Sequence, residues 1–231
     1  MVKSNTLKPV QPQRSPASLV ALWSARQRQL AAMAVSLSLL AGCGAAPVLQ
    51  DLDSLAQTNK PEDDATVKMT YYTITGSTAQ ELREQMNAVG PTDSNANRRF
   101  DARTDWYVRW NYRYESRGGN CQITTAQVKT EVTILMPQWH PSSEVSQALV
   151  QRWQRYITAL KAHEDGHKDH GLNAGREILS KLQGFSAYPT CPELESAANQ
   201  AARSIIQRYN QKDITYDQTT GHGASQGATF P

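Results

Sequence analysis

The spacing of apolar residues changes character along the chain. Lys68 to Ile74, rich in Thr and Tyr, predicts a strand that Gly76 ends. Thr78 and Glu81 have capping-box spacing ahead of Leu82, Met86 and Val89, so a helix follows, and Gly90-Pro91 stops it. After a polar stretch from Thr92 to Arg103, Trp106, Val108, Trp110, Tyr112 and Tyr114 alternate with Tyr107, Arg109, Asn111 and Arg113, the period of a half-buried strand. Gly118-Gly119-Asn120 turns the chain. Cys121 to Thr125 and Val128 to Met136 bring it back, with Pro137 ending the ladder, so an antiparallel meander is expected.

Beyond Pro141 steps of three and four take over. Val145, Leu149, Trp153, Ile157, Leu160, Glu164, His167, Gly171, Ala174, Ile178 and Leu182 read as one long helix, or two in line, from Ser143 to about Leu182. At 1.5 Å per residue this is roughly 60 Å, and Gly166, Gly171 and Gly175 are where it would bend or break. Leu194, Ala198, Ala201, Ile205 and Tyr209 mark a last helix after Cys191; Gln211 to Pro231 shows no period. The expected class is α+β, an antiparallel sheet followed by a long helix and a C-terminal helix. Trp106, Trp110, Trp139 and Trp153 fall at core positions of these patterns.

Composition narrows the class further. With 231 residues, 39% hydrophobic and 19% charged, the chain can bury one real core, and disordered, collagenous and repeat architectures are excluded. The net charge of +3 is misleading. Five of the 24 basic residues and no acid fall in residues 1–42, so the remainder carries 19 basic against 21 acidic groups, and a nucleic-acid reading loses its electrostatic support. Arg26 and Arg28 precede an apolar run from Leu30 to Gly42, the length of a signal h-region and too short to span a bilayer. It ends Leu40-Ala41-Gly42-Cys43, which resembles the lipobox of bacterial lipoproteins, with Cys43 the lipidated residue. The expected organisation is therefore a signal peptide at 1–42, a polar, acidic tether at 43–66, and a folded domain at 67–231 on the periplasmic side of the cell envelope. Gly44 after the lipidated Cys gives no inner-membrane aspartate signal, which favours the outer membrane. Cys121 and Cys191 then remain as the other two thiols of an exported chain. A crosslink over 70 residues would contribute about 4 kcal/mol in the chain-entropy model, although spacing alone does not separate it from two unrelated thiols.

The chemistry is concentrated in His163-Glu164-Asp165-Gly166-His167, an HExxH pattern inside the helical stretch. Residues four apart differ by about 40° around the helix and 6 Å along it, so both imidazoles can point at one metal. Glu164, about 100° round from His163, is placed to take a proton from water as general base. A solvated face of His and acids is the plain alternative, but both histidines continue the apolar stripe through Leu160 and Gly171, where imidazoles need partners. His170 continues the same face about 10.5 Å along the axis from His163, which favours an ordinary surface histidine. His222 sits between Gly221 and Gly223 in the aperiodic tail, where backbone can approach a site closely.

The segments YYTITG, ELREQMNAVGP, TDWYVRWNY, Cys121, Met136-Pro137-Gln138-Trp139, Leu160 through His167, Cys191 and YDQTTGHGASQGATFP together are far more specific than HExxH. With them the chain resembles, over roughly residues 69–230, a bacterial family of unknown function described as predicted secreted zinc-dependent proteases. That resemblance implies Zn2+ bound by His163 and His167, Glu164 as base, and a disulfide between Cys121 and Cys191. It also brings the tail into the site, with His222 preferred as third ligand and Asp217 as a ligand or as the partner that orients a histidine. Tyr216 is a candidate oxyanion donor, equally readable as a packed aromatic. The order of elements is similar to zincin proteases. The expectation is a lipid-anchored zinc metalloprotease that hydrolyses peptide bonds of a peptide or protein substrate, aligned along a sheet edge. A cell-wall peptide amidase with the same site, and a non-catalytic envelope lipoprotein that binds a partner, are the alternatives.

Overall fold

A computed structural model describes residues 2–7, 63–93, 98–141 and 144–231. The apolar run from Leu30, Cys43 and the tether as far as residue 62 lie outside the described residues. In chain order the elements are β1 (Val2–Leu7), β2 (Asp63–Thr75), α1 (Ala79–Val89), β3 (Thr92–Asp93), β4 (Arg98–Arg99), β5 (Arg103–Arg117), β6 (Asn120–His140), α2 (Gln147–Gln183), α3 (Cys191–Thr220) and a short 3₁₀ turn at Ala224–Gln226. No helix among the described residues is long and apolar enough to cross a membrane.

The fold is mixed α+β, and the sheet is mixed rather than antiparallel. Its order is β1-β5-β6-β2. The β5–β6 hairpin is antiparallel as expected, with Trp106 opposite Val132 and Trp110 opposite Val128. β2, however, runs parallel to β6, with Val67 beside Val132. The reason is connectivity. After β2 the chain crosses over through α1 and enters the sheet two positions away as β5, so the return strand β6 fills the gap running in the direction of β2. β2 also starts at Asp63, four residues before the expected boundary, because the 21-residue β6 offers it backbone as far back as Val128. Pro137 does not end β6. Pairing with β5 stops at Leu135, so from Met136 onwards that side of β6 is an edge, where a residue without N–H is tolerated. The backbone of β1 adds an antiparallel strand outside β5, within the stretch assigned to the cleaved leader.

The core lies between one sheet face and the helices. Trp106, Val108, Trp110 and Tyr112 of β5 and Ala126, Val128, Val132, Ile134 and Met136 of β6 are all buried. α1 carries the capping box as spelled: Thr78 Oγ1 accepts from Glu81 N at 3.2 Å, and Leu82 and Met86 face inward. α2 is a single helix of 37 residues, capped by Ser146. Its glycines do not break it; two of them admit neighbours. A Cβ on Gly171 would lie 2.6 Å from the Trp106 side chain, and one on Gly166 would lie 2.5 Å from the Tyr216 ring.

α3 is longer than its apolar pattern implies. It continues through Gln211 to Thr220, ten residues past the point where the period is lost. The stripe persists, but Asn210, Asp213, Asp217 and Thr220 stand where apolar residues would, because this stretch packs on the polar turns of α2. The two helices run antiparallel: Glu177 pairs with Arg208, His167 with Asp213 and His163 with Asp217. At its other end α3 is fastened to the sheet. Cys121 and Cys191 form a disulfide with Cα atoms 5.0 Å apart, and Cys121 exchanges backbone hydrogen bonds with Tyr188 at 2.7 and 2.8 Å.

Candidate metal centre

His163, Glu164 and His167 are all buried, at 3%, 4% and 9% exposure, which excludes the solvated-face reading of HExxH. The two imidazole rings lie 4.9 Å apart and nearly perpendicular, and their Nε2 atoms converge on one oxygen, Asp217 Oδ1, at 3.2 and 3.1 Å. Each ring is also held from behind. His163 Nδ1 lies 2.9 Å from Gln226 Oε1, and His167 Nδ1 lies 2.9 Å from Asp213 Oδ1. An amide oxygen and a carboxylate oxygen only accept, so both Nδ1 atoms carry the proton. In the uncharged form of either ring, Nε2 would then present a bare lone pair to an anionic oxygen. Bases pointing at one another in this way repel unless positive charge lies among them, either a second proton on an imidazole, which then donates to Asp217, or a metal cation.

The distances fit that cation. A tetrahedral ion with bonds of about 2.0–2.1 Å keeps its ligand atoms about 3.3–3.4 Å apart. Asp217 Oδ1 stands near this spacing from both His163 Nε2 and His167 Nε2, and the three ligand atoms lie within 4.8 Å of one another. A second group, His167, His170 and Asp213, is also close enough to hold an ion. Here, though, Asp213 Oδ1 lies only 2.6 Å from His170 Nδ1 and 2.9 Å from His167 Nδ1, and its Oδ2 accepts from Trp106 Nε1 at 2.8 Å. These are direct hydrogen bonds, and both carboxylate oxygens are engaged. Asp213 therefore orients His167, and the convergence at Asp217 is the better ion site.

The electrostatics agree. Burial lowers the pKa of His167, but hydrogen bonds to Asp213 and Asp217 outweigh it and hold it up at about 10. Burial likewise raises Asp217, yet hydrogen bonds from His163, His167 and His222 win and put it far below the ordinary carboxylate range. The protein groups alone thus ask for positive charge at this point. Glu164 is pushed the other way: burial raises its pKa, against the opposing pull of His167, of the Thr104 hydroxyl and of His163. Its Oε2 accepts from Thr104 Oγ1 at 2.7 Å, so the start of β5 fixes the acid beside the cluster.

The tail closes on the same point. Gly221 ends α3 in the left-handed region at φ 58°, His222 follows at 54° and Gly223 at 83°. A residue with a side chain is uncommon there, and the turn holds His222 in that strained conformation. His222 Nδ1 lies 3.3 Å from Asp217 Oδ1, and its ring packs on Phe100 at 5.3 Å. The candidate third ligand and its partner are therefore both present, with the carboxylate of Asp217 nearer to the two helix imidazoles. A Cβ on Gly223 would stand 3.0 Å from His163 Cγ, so glycine is what lets the tail lie on that ring. Tyr216 stacks on His163 at 4.9 Å and 12°, and its hydroxyl is engaged by Gln226, accepting from Nε2 at 3.0 Å.

His170 is not an ordinary surface histidine, because α3 brings Asp213 against it, which the periodicity of α2 could not reveal. Asp213, Gln226 and Thr104 were not foreseen as parts of the site. Asp213 had a legible signal, since Tyr209, Asp213, Asp217 and Thr220 continue the three- and four-residue steps of α3 through the polar tail. Gln226 and Thr104 had none, as their roles depend on tertiary approach.

Neither the curated proteins nor the solved structures give a match to this chain. A family does match, over residues 69–223, which take in β2 from Met69, β5 and β6, all three helices and the tail as far as Gly223. The chain belongs to the family described as "Bacterial protein of unknown function (DUF922)".

Proposed function

We propose that the chain is a zinc-dependent hydrolase of peptide bonds, with a zincin-like arrangement of sheet and HExxH helix. The observation that carries this reading is the convergence of His163 Nε2 and His167 Nε2 on Asp217 Oδ1 at 3.2 and 3.1 Å, with both Nδ1 atoms already held. Two imidazole nitrogens and one carboxylate oxygen make a donor set suited to zinc, and three protein ligands leave one position open for water or substrate. In this reading Asp217 is the third ligand and His222 holds it through the same oxygen, an exchange of the roles expected for the pair.

When bound, such an ion supplies Lewis-acid activation of water and of a carbonyl group. The remaining steps belong to the protein. Glu164, fixed through Oε2 by Thr104, takes a proton from the attacking water at its other oxygen and delivers it to the departing amine. Its burial, which raises its pKa, makes it a better base than an exposed carboxylate. Thr104 is the second residue of β5, in the stretch before Val108 that β1 does not cover, so a substrate laid along that stretch would bring an amide bond beside Glu164. Tyr216 stacks on His163 and is committed to Gln226, which supports a positioning role over an oxyanion donor.

The test is zinc content per chain followed by turnover of a mixed peptide library. About one zinc per chain with turnover supports the reading. A wild-type chain that takes up no zinc at neutral pH sinks it. A metallated chain that cleaves no peptide but releases amino acids from cell-wall peptides transfers the same site to the amidase alternative.

A further inference from the structure

The two ligand histidines are oriented by chemically different partners. His167 Nδ1 faces the carboxylate of Asp213, on the same helix as Asp217. His163 Nδ1 faces the neutral amide of Gln226, which is not on a helix of the core but on the 3₁₀ turn of the C-terminal tail. The amide is also held by Tyr216, whose hydroxyl accepts from Gln226 Nε2 at 3.0 Å and donates to Oε1 at 3.3 Å, the oxygen that faces His163. The tail that carries Gln226 is seated at both ends. Gly223 accepts the close approach to His163, its N–H donates to Thr220 Oγ1 at 3.2 Å, and Phe230 is buried against Trp153 at 5.4 Å and Tyr156 at 5.0 Å.

Resting on the zinc reading above, we propose that Gln226 is a positioning residue for the metal centre, and that the segment Gly221–Phe230 is a strap which delivers it. The amide keeps the proton of His163 on Nδ1 and leaves Nε2 bare for the ion. Removing that acceptor leaves Nδ1 with the Thr220 hydroxyl, 3.5 Å away and already engaged by Tyr216 O and Gly223 N, and so lets the ring take the other tautomer, in which Nε2 carries the proton and cannot ligate. The strap also links the site to Phe230, because the turn at Ala224–Gln226 is held between the His163 contact and the aromatic seat. Linkage is reciprocal: whatever the seated strap adds to zinc affinity, zinc adds to the seating of the strap. The family match ends at Gly223, so Gln226 and Phe230 lie beyond the matched residues.

The experiment measures zinc affinity of the full chain by competition with a chromophoric chelator for wild type, Gln226→Leu, Gln226→Glu and Phe230→Ala. Melting of the metal-free proteins is recorded beside it. Gln226→Leu fills similar space without an acceptor and is expected to weaken zinc about tenfold, the low end for an outer partner of a ligand histidine, because Gln226 is solvent-exposed. Gln226→Glu restores an acceptor and is expected to bind at least as tightly as wild type. Wild-type affinity in Gln226→Leu overturns the proposal, and so does equal weakening in Leu and Glu, which would mark a role in packing alone. In Phe230→Ala zinc should weaken as well, and in wild type zinc should slow carboxypeptidase trimming of the tail; trimming rates indifferent to zinc overturn the strap. If wild type itself binds no zinc the fault lies with the reading beneath; if it binds and the variants do not differ, it lies with Gln226.

Discussion

α2 buries one continuous stripe, but two regions of that stripe are built for opposite ends. In the first three turns Leu149, Trp153, Tyr156 and Leu160 enter the apolar core. In the next two, His163, Glu164 and His167 are equally inaccessible, and every one of them is polar. Apolar packing then resumes at Ala174, Ile178 and Leu182. The apolar region contributes stability by leaving water, without needing specific partners. The polar region costs free energy unless each donor and acceptor is met, and it is met from three directions: Thr104 of β5, Asp213 and Asp217 of α3, and Gln226 of the tail. A helix with an ordinary period thus carries a segment that stability alone would not select. That mismatch marks the candidate functional segment.

The largest effect should come from the polar region and leave stability alone. Glu164→Gln keeps the shape and the Thr104 contact but cannot take a proton, so turnover of a cleaved peptide should fall roughly 10²- to 10⁴-fold with zinc content unchanged. Hydrolysis at the wild-type rate would remove Glu164 from the chemistry. The apolar region should answer in the other way. Leu160→Ala, one turn before His163, should lower unfolding free energy by about 2–5 kcal/mol in a denaturant titration. The folded fraction should still bind about one zinc per chain. If Leu160→Ala strips the metal while the chain stays folded, the two regions are not separable as described.

How much of this was legible in the sequence follows from the same contrast. Features written by local pattern appear where the residues put them: the capping box at Thr78, the alternating Trp106–Tyr112 face, and the stripe through His163 and His167. The Cys121–Cys191 crosslink, implied by resemblance, is present too. What pattern could not show is which partner a strand or side chain meets. β2 joins β6 in parallel because of a crossover, and α2 stays whole because its glycines accommodate Trp106 and Tyr216. His170 is claimed by an aspartate 43 positions away. The tail shows no apolar period because the stripe of α3 turns polar there to match the polar turns of α2.

A smaller effect tests whether Asp213 belongs to the polar region as an orienting group. Asp213→Asn keeps the volume and gives up the charge that holds His167 in the Nδ1–H form. Zinc affinity should fall roughly 10- to 100-fold, the range for a partner one step removed from the ion. Asp217→Asn, which alters a proposed ligand itself, should cost more. If the two come out in the reverse order, the ion sits in the His167, His170 and Asp213 group instead.

The smallest effect separates two roles for one hydroxyl. Tyr216→Phe keeps the ring that stacks on His163 and fills the space over Gly166, and removes only the oxygen that meets Gln226. A donor to the developing oxyanion would be missed by about 10²–10³ in turnover with zinc affinity intact. An oxygen that only aims the Gln226 amide would be missed by about threefold, the low end for a neutral hydrogen bond open to solvent, and the loss would appear in zinc affinity. The second outcome is expected, because the hydroxyl already exchanges hydrogen bonds with both ends of that amide, at 3.0 and 3.3 Å, and turning it toward a substrate would break the contact that faces Gln226 to His163. A large loss in turnover at unchanged zinc affinity would show that the pair parts during the reaction, and would move Tyr216 from the support of the polar region into its chemistry.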